Sequence, residues 1–440
     1  MTGVPNGLRR ALGGGSRSYH LRAAGHARAP VPTDGDPGTA APRVLPAADP
    51  GGERLLPVTV ADPTAGLPPR TARLKVWREG DTGRQSYALT GACCCGITFA
   101  YRKQPNQVKP SRLTLGALIK RGGESPTEMF IRLKNWSRDA SQDLKVFLSE
   151  IRRAHGDDVH LIIEDFTGYD LPWDFLWQFK TDLPDTDLAD GWLGALLPIA
   201  RSVGTPSSAT GIQCTGEILA HVAPDMVADR ALLDRFRVTV RDVTLDDLLD
   251  LLDEKGDPLS LVYVACHGRY GKPDARFSAA DIELVEGQRD SEQGVTLGEI
   301  RSRNLLRMRG TGGLVFLNAC HSAREGVDPN LDRTTLRSFA RVFLEAGASG
   351  FIGTMGKVGL QDGYELAKNL LDTLAENPDT PVAVALRDYR RKVWAQAPRT
   401  PRRSDQEAAR RLRPFFYAFM YAYFGNPETT LRPVPREETR

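Results

Sequence analysis

The chain has 440 residues with 58 basic and 55 acidic side chains. It is long enough to bury a sizeable core, and its charge is too evenly balanced to argue for nucleic acid or an anionic membrane as partner. No stretch approaches the roughly 18 uncharged apolar residues of a membrane span, and the six cysteines, three of them consecutive at Cys93, Cys94 and Cys95, do not form a disulfide framework. A reducing, cytoplasmic setting is expected.

The first thirty residues contain five Arg and no acid, and the Pro/Gly/Ala-rich composition runs on to about residue 70 without periodicity. This reads as a disordered basic arm rather than an organelle transit peptide. From Ala72 the pattern becomes alternating, with Leu74, Val76, Tyr87, Leu89, Ile97, Phe99 and Tyr101 marking a small group of strands within residues 71–139. The three consecutive cysteines lie in that group and read as small buried hydrophobes, because no His or second Cys pair sits at ligand spacing. A helix is expected from about Ala140 to His155, where Leu144, Phe147, Leu148 and Ile151 recur at helical spacing and Gly156 follows. Val159 to Ile163 reads as a strand, and the dense Trp173, Phe175, Leu176, Trp177 and Phe179 as the packing of a helix onto a sheet.

Beyond Gly211 strands and helices alternate: a strand over Ile212–Val222, a helix over Asp225–Arg235, a strand over Val238–Val243. A helix then begins at Thr244, whose hydroxyl is placed to cap it with Asp247 three residues on. This βαβαβ order implies a mainly parallel sheet with right-handed crossovers. Gly294 to Arg301 turns into a further helix, and Tyr364–Leu374 and Val382–Trp394 are amphipathic helices. Pro398–Arg413 is Arg-crowded, as a solvated linker or helix face is, and Phe415–Phe424 is apolar but too short to span a bilayer.

Two apolar strands organise the rest, because each runs into a Cys-His pair. The first reads Leu259-Ser260-Leu261-Val262-Tyr263-Val264-Ala265-Cys266-His267-Gly268, the second Gly313-Leu314-Val315-Phe316-Leu317-Asn318-Ala319-Cys320-His321-Ser322. Such runs suit strands buried on both faces of a parallel sheet, and the ligand crevice of such a sheet lies beyond the carboxyl ends of its strands. A thiol there becomes a nucleophile when an imidazole takes its proton. The candidate pairs are His267 with Cys320 and His321 with Cys266. Gly268 favours the first, since a Gly after the His lets the backbone turn and frees an amide to face an oxyanion, with the amide of Cys320 as second donor. Zinc held by all four is disfavoured, because neighbouring residues on a strand point to opposite faces.

Strand-His-Gly followed about fifty residues on by strand-Asn-Ala-Cys-His-Ser-Ala resembles the CHAT proteases, caspase-like cysteine peptidases related to separases and gingipains. The likeness extends to Asp170-Leu171-Pro172-Trp173-Asp174 with Trp192-Leu193-Gly194, to Phe339–Gly347 followed by Ala348-Ser349-Gly350-Phe351-Ile352-Gly353-Thr354, and to Pro414–Phe419 with Tyr423-Phe424-Gly425-Asn426-Pro427. It departs at Thr354-Met355-Gly356-Lys357-Val358, where family members often carry a Trp and an acid; here the acid comes later, at Asp362.

The resemblance implies an α/β fold with a caspase-like, mainly parallel sheet flanked by helices, preceded by the small β-rich region and the disordered tail. The protease domain would span 140–428, with 140–205 a pseudo-N-terminal part, 210–428 the catalytic part and 429–440 a tail. It implies a cysteine endopeptidase with His267 as base and Cys320 as nucleophile, requiring no metal or cofactor. Its partner would be a protein substrate, cut in a regulated response such as bacterial antiviral defence or cell death. With no tetratricopeptide repeats or sensor module in the sequence, a separate activator or the region 1–140 is expected to control it. Loops 269–280 and 322–334 are expected to touch substrate, with Asp328 and Asp332 forming a pocket for a basic side chain, although Asp332 also suits a helix cap. The other reading is a catalytically silent caspase-like module that scaffolds a complex, and an acyltransferase or amidase would use the same dyad.

Overall fold

The computed structural model describes residues 66–79, 86–101, 125–168, 171–182, 187–203, 212–240, 243–270, 282–287, 294–327, 336–399, 401 and 406–435. The chain separates into two units, 1–59 and 60–440, and every described residue belongs to the second. The expected disordered arm therefore lies almost wholly outside the described residues, as do Asp328 and Asp332.

An 11-stranded sheet runs through the described unit. In chain order its strands are β1 (Thr71–Glu79), β2 (Ser86–Cys93), β3 (Thr98–Tyr101), β4 (His160–Asp165), β5 (Ile199–Ser202), β6 (Glu217–Val222), β7 (Val238–Val240), β8 (Leu259–Ala265), β9 (Leu314–Asn318), β10 (Gly350–Thr354) and β11 (Tyr421–Gly425). Their spatial order is β7-β6-β8-β9-β10-β11-β5-β4-β1-β2-β3. Pairing is parallel throughout except where β11 meets β10 and where β1, β2 and β3 form an antiparallel meander. The expected mainly parallel α/β sheet is thus observed, and the alternating strands near 71–101 extend it at one side.

Burial explains the sequence of the central strands. Every residue of β8 and β9 is buried, as continuous apolar runs require when helices cover both faces of a sheet. The main helices are α1 (Pro126–Arg138), α2 (Gln142–His155), α3 (Val227–Leu233), α4 (Leu245–Asp253), α5 (Phe339–Glu345), α6 (Leu360–Glu376), α7 (Val382–Gln396) and α8 (Gln406–Met420). The capping box expected at Thr244 and Asp247 is present at the start of α4, and Ser141 caps α2. Helix α1 buries Met129, Phe130, Leu133 and Trp136 along one side.

Several local expectations are corrected. Trp173–Phe175 is a single 3₁₀ turn and Trp177–Gln178 a two-residue strand, so this segment brings no helix to the sheet. Its rings instead join Trp192, Trp394 and Phe415 in an aromatic cluster, with Trp177 and Trp192 centroids 4.9 Å apart in edge geometry. Burying each such ring stabilises the fold by about 1.5–3 kcal/mol. The expected strand over 212–222 is broken at Gly216, whose φ of 127° any Cβ would strain. The Arg-rich stretch before Phe415 is helical from Gln406, and the aromatic residues after it are divided between α8 and β11.

A buried ion triad ties distant elements together. Asp174 accepts from Arg201 of β5 at 2.7 Å and pairs with Arg390 of α7 at 2.9 Å, and all three are buried. The two guanidinium groups outweigh the desolvation of Asp174 and hold its carboxyl below the usual range. Arg390 also donates to the carbonyls of Ala418 and Tyr421, which ties the triad to the junction of α8 and β11.

Candidate active site

Three neighbouring parallel strands, β6, β8 and β9, deliver chemistry to one rim of the sheet. Immediately beyond β8, His267 opens a short strand, His267–Tyr270, that pairs with Ile282–Val285. Beyond β9 the chain turns through Ala319, Cys320 and His321, the last at φ 63°. Beyond β6 comes Asp225.

The two segments carrying His267 and Cys320 are in direct backbone contact. A Cβ placed on Gly268 would lie 2.0 Å from the carbonyl oxygen of Cys320, so only glycine lets the strands approach this closely. His267 and Cys320 line one small cleft of about 40 Å³, with Met226, Asp229, Ala319 and the Val358–Leu360 segment also on its walls. Cys266 borders the same cleft but is buried.

The turn that carries Cys320 is fixed by hydrogen bonds to the end of β10. The amide of His321 donates to Gly356 O at 3.0 Å, that of Ala323 to Thr354 O at 2.9 Å, and the hydroxyl of Thr354 to Ala319 O at 2.7 Å. The segment that lacks the family's Trp therefore serves here as a backbone brace. Beneath the turn, Asn318 donates to Asp229 at 3.0 Å and accepts from Tyr421 at 2.5 Å, while Tyr263 also donates to Asp229. Burial pushes the Asp229 carboxyl up, against these hydrogen bonds.

Asp225 is the residue that sequence reasoning missed. Its Oδ2 lies 2.7 Å from His267 Nε2. A signal existed: Asp225 follows β6, next to β8 in the sheet, so it falls at the same carboxyl rim. With Nε2 engaged by the carboxylate, Nδ1 is the imidazole nitrogen left to accept a proton.

Cys320 Sγ has the carbonyl of Val358 as partner at 3.7 Å, and burial raises its pKa above the ordinary thiol value, against the pull of nearby backbone groups and Lys357. The opposite pair suits catalysis less. Burial, Arg324 and Lys357 push His321 down to about 3, so it carries no charge near neutrality, and burial drives the Cys266 thiol upward.

A second thiol–imidazole contact lies elsewhere. Cys93 Sγ is 3.3 Å from His155 Nε2, and burial lifts the Cys93 thiol to about 12. Cys94 is half-buried and Cys95 exposed, which corrects the expectation that all three cysteines are core packing.

Residues 219–424 match the CHAT domain family, a span that contains Asp225, His267 and Cys320. That segment is similar to a CHAT domain. No curated protein matches the chain. Among solved structures, one described as "Structure of Protease" is similar at 10% identity over 67% of this chain and 70% of that one, with a TM-score of 0.41. Separase from Saccharomyces cerevisiae, solved in complex with securin, is similar at 13% identity and a TM-score of 0.34 over 67% of this chain. The chain corresponds to 17% of the separase chain. Among the described residues, no helix is long and apolar enough to cross a membrane.

Proposed function

We propose that this protein is a cysteine endopeptidase with Cys320 as nucleophile and His267 as general base. The observation that carries the reading is the close stacking of Gly268 on the Cys320 carbonyl, which keeps imidazole and thiol on one cleft. His267 Nδ1 takes the thiol proton, Sγ attacks the scissile carbonyl, and the oxyanion is met by the amides of Gly268 and Cys320. Collapse of the tetrahedral intermediate passes that proton to the leaving amine and leaves a thioester. Water, deprotonated by the same imidazole, then releases the acid and restores the thiol.

The substrate is another protein, and Asp328 and Asp332 are retained as candidates for recognising a basic side chain. Cleavage within a defence or cell-death response, in a cytoplasmic setting, fits the family resemblance. The raised thiol, bonded to Val358 rather than to His267, fits an enzyme that waits for a separate activating protein. The same feature favours the second reading, a silent interaction module.

Peptide-library cleavage with and without candidate activators separates the two. The wild type should cut, Cys320→Ala should not, and His267→Ala should lose about 10²- to 10⁴-fold in rate. Activity that survives in Cys320→Ala but disappears in Cys266→Ala would transfer the role to the other pair.

A further inference from the structure

At the opposite side of the sheet from the cleft, β2 ends in a tight turn. Cys93 N donates to Ile97 O at 2.8 Å and Gly96 N to Cys93 O at 2.9 Å, with Gly96 at φ 90°. The turn abolishes the strand alternation that keeps consecutive side chains on opposite faces. It therefore gathers sulfurs instead of separating them: Cys95 Sγ lies 3.2 Å from Cys93 Sγ. The last residue of α2 completes the group, since His155 Nε2 is 3.3 Å from Cys93 Sγ and 3.8 Å from Cys94 Sγ. Among the described residues, Cys93, Cys94 and His155 are the one set of three or more potential ligand groups whose donor atoms all lie within 4.8 Å of one another.

We propose that Cys93, Cys94 and His155 bind a zinc ion, and that the exposed Cys95 thiolate, which lies outside that set, rotates in to complete a tetrahedral site. Zinc bonds of about 2.3 Å to sulfur and about 2.05 Å to nitrogen set tetrahedral S···S and S···N edges near 3.8 and 3.6 Å. The two S···N separations of 3.3 and 3.8 Å lie within about 0.3 Å of that edge, whereas the 3.2 Å between Cys95 and Cys93 is about 0.6 Å short of the S···S edge and must open on binding. Thiolate and imidazole donors suit zinc over hard cations. His155 stands at the carboxyl end of α2, where the helix dipole favours positive charge. On binding, each coordinating thiol releases its proton to solvent and the imidazole stays neutral, so three thiolates with Zn²⁺ leave the site with one net negative charge. The ion would clamp the β2 hairpin to α2. By strand count this is roughly 30 Å across the sheet from Cys320, at about 4.8 Å per strand, so the role is structural and independent of the dyad.

The test uses the full chain, stripped with a chelator and titrated with zinc against a chromophoric competitor. The wild type should take up one equivalent, and cobalt in its place should give a near-ultraviolet thiolate charge-transfer band. His155→Gln and Cys94→Ser should each lose that equivalent, while Cys214→Ser retains it. Should Cys94→Ser fail to fold, His155→Gln still decides, with circular dichroism confirming its fold. No bound zinc in the wild type overturns the proposal, and so does an equivalent undiminished in both variants. Fast iodoacetamide labelling of Cys93 without zinc uptake would likewise overturn it, and would mark a reactive thiol–imidazole pair instead.

Discussion

Asp225 determines which face of the His267 ring is available. A carboxylate at 2.7 Å from Nε2 fixes the tautomer and the ring plane, and so leaves Nδ1 to accept a proton. Asp225→Asn should therefore lower kcat with KM little changed, and Asp225→Glu should recover part of the loss. A merely structural role would move the unfolding midpoint instead, which denaturation of both variants checks. That His267 and Cys320 share a cleft was legible because a Cys and a His each follow an unbroken buried strand. Asp225 was not, because it lies in a Pro-Asp-Met stretch with no periodicity, and only the neighbouring of β6 and β8 gives it meaning. His155 escaped for the same reason: its partner Cys93 lies 62 residues away in the chain.

At the level of elements, the Leu171-Pro172-Trp173-Asp174 segment acts as a fastener. Asp174 draws β5 and α7 together through Arg201 and Arg390, and α7 in turn carries the junction of α8 and β11 through the carbonyls that Arg390 binds. Removing the carboxylate leaves two guanidinium groups buried without their counter-charge. Asp174→Ala should cost about 3–5 kcal/mol, measured by urea unfolding, whereas replacing only Asp388, a half-exposed partner of Arg387 on α7, should cost about 1 kcal/mol or less. Helical periodicity and capping chemistry located α2 and α4 from sequence because they are local signals. The aromatic cluster around Trp177 and Trp192 misled, since ring density reports burial and says nothing about the backbone that delivers it.

Across the whole molecule, buried groups respond to acid with opposite signs: depressed groups lose stability as the pH falls, and carboxyls that burial raises, such as Asp229 and Asp362, offset part of that loss. His321 is held near 3 against an ordinary imidazole value of 6.5, so it favours the unfolded chain once the pH falls below the latter. Its contribution to stability is complete above about pH 6.5 and is lost progressively as the pH drops toward 3. Asp174, also depressed, adds a loss below the ordinary carboxylate value of about 3.9. Between about pH 7 and about pH 4.5 His321 should pull urea midpoints down, against the opposing carboxyls. The midpoints should fall less in His321→Asn, because Asn carries no titrating group and tolerates the left-handed backbone at that position.

The position of β11 bears on how the protein is made. Residues 421–425 lie between β10 and β5, so the last main-sheet strand to leave the ribosome is also the one that joins the two halves of that sheet. Until it emerges, β10 and β5 each present an unpaired edge, and the Cys320 turn lacks the hydrogen bond that Tyr421 gives Asn318. A chain that ends before residues 421–425 is therefore denied an assembled cleft.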